Sequence, residues 1–95
     1  MTAADLAQAH VLPAGLSPEA QALWHTKHGN WEAAHDIAQE IHSPLGSWIH
    51  ALLHVIEGDQ WNGDYWFAKA KKPSRGPGEV DALWEEIAAV VLAGR

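Results

Sequence analysis

The chain has no cysteine, a single methionine, phenylalanine and tyrosine, and only six lysines and arginines in 95 residues. Without cysteine it can form neither a disulfide nor a thiolate metal site. Six basic side chains against twelve acidic ones give a net charge of −6, so the chain has no surface suited to a phosphate backbone and nucleic acid is not an expected partner. The one basic cluster, Lys69, Lys71, Lys72 and Arg75, falls at a predicted helix end, where cations complement the helix dipole. No run approaches the ~18 apolar residues of a membrane span, so no membrane partner is expected either. The opening stretch MTAADLAQAHVLPAG has no basic residue and no continuous apolar core, and does not read as a secretory signal. The expected location is the cytoplasm. Sustained alternation of β-branched and polar residues is also missing, which removes strands from consideration.

What is present is tryptophan and helix punctuation. A chain of this length makes one domain, 1–95, which buries only about 60–65% of the surface it exposes when unfolded. Six tryptophans (24, 31, 48, 61, 66 and 84) supply much of the bulk, each covering roughly 200 Å² when packed. Thr2 with Asp5 three residues later marks a short first helix over 5–10, in an N-terminal segment, 2–15, read as loosely ordered. Ser17-Pro18 and Ser43-Pro44 are cap-then-proline starts. Gly29-Asn30 and Gly58-Asp59 each combine a helix stop with the cap of the next helix. The predicted second and third helices therefore run from Pro18 to Gly29 and over 31–41. The third buries Trp31, Ala34, Ile37, Ala38 and Ile41.

The fourth helix, 44–57, has the strongest stripe: Leu45, Trp48, Ile49, Leu52, Val55 and Ile56, at helical spacing throughout. The fifth, 60–72, carries two apolar stripes, Gly63/Trp66/Phe67/Ala70 and Trp61/Tyr65/Ala68, and is expected to lie between two neighbours. A Pro/Gly-rich loop, 73–78, precedes a closing helix, 79–93, with Val80, Leu83, Trp84, Ile87, Val90 and Val91 on one face. The predicted fold is all-α, an array of helical hairpins built from five to six short helices with a C-terminal closing helix.

Shifted by 29 residues, the sequence partly matches itself. Ala22, His25, Gly29, Asn30 and Ala34 fall on Ala51, His54, Gly58, Asp59 and Gly63, and Ala38 falls on Phe67. Each unit is helix, tight turn, helix, with small residues where paired helices would approach. The order Ala51, Gly58-Asp59, Gly63, Phe67, Ala70 resembles tetratricopeptide (TPR-like) hairpins. It departs from that pattern at His50 and His54, which occupy positions usually held by large apolar residues. Over about 30–73, AHD at Ala34–Asp36, then WIHALLHVIEGD, then N-x-D-YWF-x-x-A is similar to a family of small uncharacterised bacterial proteins. That resemblance implies the hairpin fold and brings no activity with it.

The histidines are the candidate site. His50, His54 and Glu57 lie at i, i+4 and i+7, within ~60° of one another on a helix and opposite the Leu45–Ile56 stripe. His35 would join them if the third and fourth helices pack antiparallel. With Tyr65 and Trp66 alongside, the candidate pocket is His35, His50, His54, Glu57, Tyr65 and Trp66. The simplest role for the imidazoles is a helix interface in which each hydrogen-bonds a carboxylate or carbonyl. Neutral imidazoles there make the fold weaken on acidification between about pH 5 and 7.

No catalytic residue is assigned, and no cofactor or metal is expected. The alternative is a divalent metal ion on His50, His54 and Glu57. Against it, the zincin pattern needs Glu at the position of Ala51. The expected function is a small cytosolic TPR-like binding or interaction module whose partner is a protein or a small molecule. One alternative is a metal- or histidine-dependent enzyme using the His50/His54/Glu57 stripe. Another is a structural homodimer formed through Trp84 and the apolar run Ile87–Leu92.

Overall fold

The computed structural model describes residues 1–94. Six α-helices follow one another: α1 (Ala3–Gln8), α2 (Pro18–Lys27), α3 (Trp31–Gln39), α4 (Pro44–Ile56), α5 (Gln60–Ala70) and α6 (Val80–Ala93), the last entered through a 3₁₀ turn at Pro77–Glu79. No strand occurs among the described residues, and no helix is long and apolar enough to cross a membrane. The fold is an all-α set of helical hairpins.

Caps explain where most helices begin. Thr2 and Asp5 exchange hydrogen bonds of 3.1 and 3.0 Å in a capping box. The hydroxyls of Ser17 and Ser43 accept from the amides of Ala20 and Gly46, each ahead of a proline in the first turn. Asp59 accepts from the Asn62 amide at 3.2 Å. Each bond satisfies an amide that the helix itself leaves unpaired. Asn30 differs from expectation. Its backbone opens α3, but its side chain makes no capping bond and instead donates to His25 Nδ1 at 3.3 Å.

The two turns of the 29-residue pattern are closed alike. The Asn30 amide reaches the His25 carbonyl and the Gly29 amide that of Thr26; the Asp59 amide reaches His54 and the Gly58 amide Val55. Gly29 and Gly58 have φ of +77° and +90°, the left-handed step this closure needs and only glycine takes without strain. Small residues then let the paired helices meet. Ala22, Ala34, Ala51 and Gly63 are all buried, and a Cβ at Gly63 would sit 2.9 Å from Val55 Cγ2.

At the end of α5 the same closure falls on a lysine. Lys71 adopts φ 58° while its amide and that of Lys72 bond the Ala68 and Phe67 carbonyls. That is why α5 stops at Ala70 and does not run on to 72.

The central helix is α4. It packs against α2, α3, α5 and α6, and every residue from Trp48 to Val55 is buried. The sequence stripe captured only one of its faces. Ile56, placed in that stripe, is 41% exposed, because it lies at the helix end where the chain turns out. Indole N–H groups tie the elements together: Trp24 to the Ala9 carbonyl, Trp31 to Leu53 at 2.7 Å, and Trp84 to Leu23 at 2.9 Å. The N-terminal segment is held by the first of these bonds and by Leu6, which is fully buried.

Two expectations about packing change. α5 is not sandwiched: its Gly63/Phe67/Ala70 face packs on α4, while Trp61 and Tyr65 are 79% and 52% exposed. The reason is topological. After the loop tied down by Arg75, which pairs with Glu79 and Glu86, α6 runs back over α4, α2 and α1. That path also buries Trp84, Ile87, Val91 and Leu92 inside the chain, leaving Val90 as the large apolar residue exposed on α6.

Candidate functional site

The Trp31–Leu53 bond sets α3 against α4 in a register that brings three histidines together. His35 lies flat on Trp31, with ring centroids 4.8 Å apart and 11° between planes. Its Nε2 is 3.0 Å from Nε2 of His50. Since one nitrogen must donate and the other accept, one ring carries a proton at Nε2 and the other a lone pair there.

His50 sits in the middle of a second stack. Trp66 of α5 covers one side at 3.9 Å and 12°, and His54 lies on the other at 4.8 Å and 20°. The two stacks meet nearly at right angles, His35 being 87° to His50 and 74° to His54. His54 Nδ1–H donates to Glu57 at 2.6 Å, which leaves Nε2 as its remaining ring nitrogen.

The two α4 imidazoles are buried as well as crowded. His50 is 6% and His54 8% exposed. Burial pushes the His50 imidazole down to about 4, and the neighbouring His35 and His54 add to the shift because a second positive charge beside them is unfavourable. His50 is therefore neutral at pH 7. Asp59 is held below the usual carboxylate range by its bonds to the Asn62 side chain and backbone.

Of the six sequence candidates, the structure groups His35, His50, His54, Glu57 and Trp66. Tyr65 lies apart, touching Trp66 edge-on at 5.3 Å and otherwise facing outward. Trp31 belongs to the cluster but was absent from the sequence list. Its signal was its position four before His35, one turn away on the same face.

Beside the cluster is a cleft of about 430 Å³ whose lining includes His42, Ser43, Ser47, His50, Trp66 and Lys69. Lys69 Nζ stands 5.2 Å over the Trp66 ring. A Cβ at Gly46, also in the cleft wall, would run into the Ile41 carbonyl, so that wall forms only with glycine there. His42, Ser47 and Lys69 come from three segments with no common spacing, so the sequence does not place them in one site. The cleft can hold a small molecule between an aromatic surface and a cationic, hydroxyl-bearing rim.

Neither protein-family models, nor curated proteins, nor solved structures give a match to this chain.

Proposed function

We propose that this chain is a small TPR-like binding module that takes a small organic anion into the cleft between α4 and α5. The observation that carries this reading is the cleft itself, with the stacked His50–Trp66 pair in its wall. Its volume lies within the range of about 300–1,000 Å³ typical of ligand sites. Trp66 offers a flat surface for a planar group. Lys69, His42, Ser43 and Ser47 supply a charge and hydrogen-bond donors for a carboxylate. The module is expected to work in the cytoplasm, where a chain free of cysteine has nothing to lose to reduction.

Benzoate is the simplest probe of this chemistry. Titration followed by tryptophan fluorescence should show saturable binding at low millimolar concentration or tighter. Lys69→Ala should weaken it about tenfold, the loss of one charge-assisted contact. Saturation unchanged in both Lys69→Ala and Trp66→Leu would refute the cleft as the site.

A further inference from the structure

The histidine cluster has a geometry that a helix interface alone does not demand. We propose that His35, His50 and His54 form a three-imidazole site for a borderline divalent ion, Zn²⁺ first among them, with Glu57 as the carboxylate that orients His54.

One ring nitrogen from each of the three lies within 4.8 Å of the other two. Two imidazoles sharing one Zn²⁺ at about 2.0–2.1 Å hold their nitrogens roughly 2.9–3.4 Å apart. The His35–His50 separation of 3.0 Å is already in that range. The third ring, His54, lies face to face with His50 at 4.8 Å and 20°, so it has to tilt as well as close by about 1–2 Å to bring its in-plane lone pair onto the ion. Between His35 and His50 the single shared proton has to leave Nε2, to Nδ1 of its own ring or to solvent, for both Nε2 lone pairs to face the ion.

The surroundings have the form metal histidines usually need. A ligating imidazole commonly gives its other N–H to a carboxylate, which fixes its tautomer and direction. His54 does this with Glu57 at 2.6 Å. His35 is held by Trp31 and His50 by Trp66, so neither ring can swing freely.

The other nearby set of donors, His54, Glu57 and Asp59, is less suited. Both Asp59 oxygens are engaged by Asn62, and Glu57 is already bonded to His54. Three imidazoles without thiolate select Zn²⁺, Co²⁺, Ni²⁺ or Cu²⁺ over the oxygen-seeking Mg²⁺ and Ca²⁺. Three protein ligands also leave one position for water or a ligand atom.

The test is Zn²⁺ titration of chelator-treated protein by calorimetry, repeated with Co²⁺ by visible absorption. The expected result is one ion per chain with a Kd below about 1 µM and the intense visible bands of a tetrahedral Co²⁺ centre. His35→Ala changes the least buried of the three rings, and its fold can be verified by circular dichroism; it should weaken binding at least about 100-fold. Glu57→Gln should cost about 10–100-fold. His28→Ala, outside the cluster, should change nothing. Tight binding that survives His35→Ala would assign the ion to other histidines, and no uptake at about 100 µM Zn²⁺ would remove the site altogether; either result overturns the proposal. Benzoate titration is read separately, so failure here leaves the cleft reading intact.

Discussion

The hairpins α2–α3 and α4–α5 share a turn and differ in what they do with histidine. Both close with the same pair of backbone bonds after a left-handed glycine, and both bury a small residue on each helix. Yet His25, at the position of His54, is only half-buried and bonds the Asn30 side chain. His28 takes the place of Glu57, so there is no carboxylate to orient His25. The His28 Nδ1–H instead returns to the Trp24 carbonyl at 2.9 Å. Gln21 takes the place of His50 and donates to the Leu16 carbonyl. A common backbone therefore carries a solvated polar face in one hairpin and a packed imidazole cluster in the other. The difference comes from the neighbours: α3 and α5 supply Trp31, His35 and Trp66 to the second hairpin's first helix.

The largest expected effect comes from cutting the link between the two. Trp31→Ala removes the indole bond to Leu53 and the surface under His35, and should cost about 2–4 kcal/mol in urea unfolding. Trp31→Phe keeps the stack and should cost only about 1 kcal/mol.

Acidification comes next. In metal-free protein the neutral form of His50 is favoured by folding, since its folded pKa of about 4 lies below the unfolded 6.5. The unfolded chain thus takes up the proton first. This contribution to stability is complete above pH 6.5 and declines as pH falls toward 4. The facing groups are His35 on α3, His54 on α4 with Glu57 just past its end, and Lys69 on α5 over the Trp66 ring. A loss of about 1–3 kcal/mol over that interval is expected from urea midpoints. His50→Gln should flatten the slope.

Smaller effects test the turns and close approaches. Gly63→Ala forces its Cβ against Val55 and should destabilise by about 1 kcal/mol, overpacking outweighing the gain in helix propensity. Lys71→Gly relieves a left-handed lysine and should raise stability by about 0.5–1 kcal/mol in the same assay.

Much of the fold was legible in the sequence because caps and stops are local. Ser17-Pro18, Ser43-Pro44, Gly29 and Gly58 mark helix ends from a few residues each. The stop at Ala70 was not legible, because a lysine fills the left-handed position that glycine usually signals. Nor was the exposure of Trp61 and Tyr65, since apolar residues on a helix do not reveal whether another helix arrives to cover them. In α4, His50 and His54 were readable as a helix interface of imidazoles, and both are buried; the tryptophan stacked on His50 comes from α5 and the imidazole bonded to it from α3. The spacing of His50 and His54 suggested a shared face; only the position of α3 shows that His35 completes it.

The direct contact of His35 with His50 is the claim on which both the cluster and the ion site depend. Imidazole ¹⁵N spectra of the metal-free protein near pH 7 test it most directly. The expected result is an Nε2–H on one ring facing an Nε2 lone pair on the other. An Nε2–H on both rings, or on neither, would contradict it.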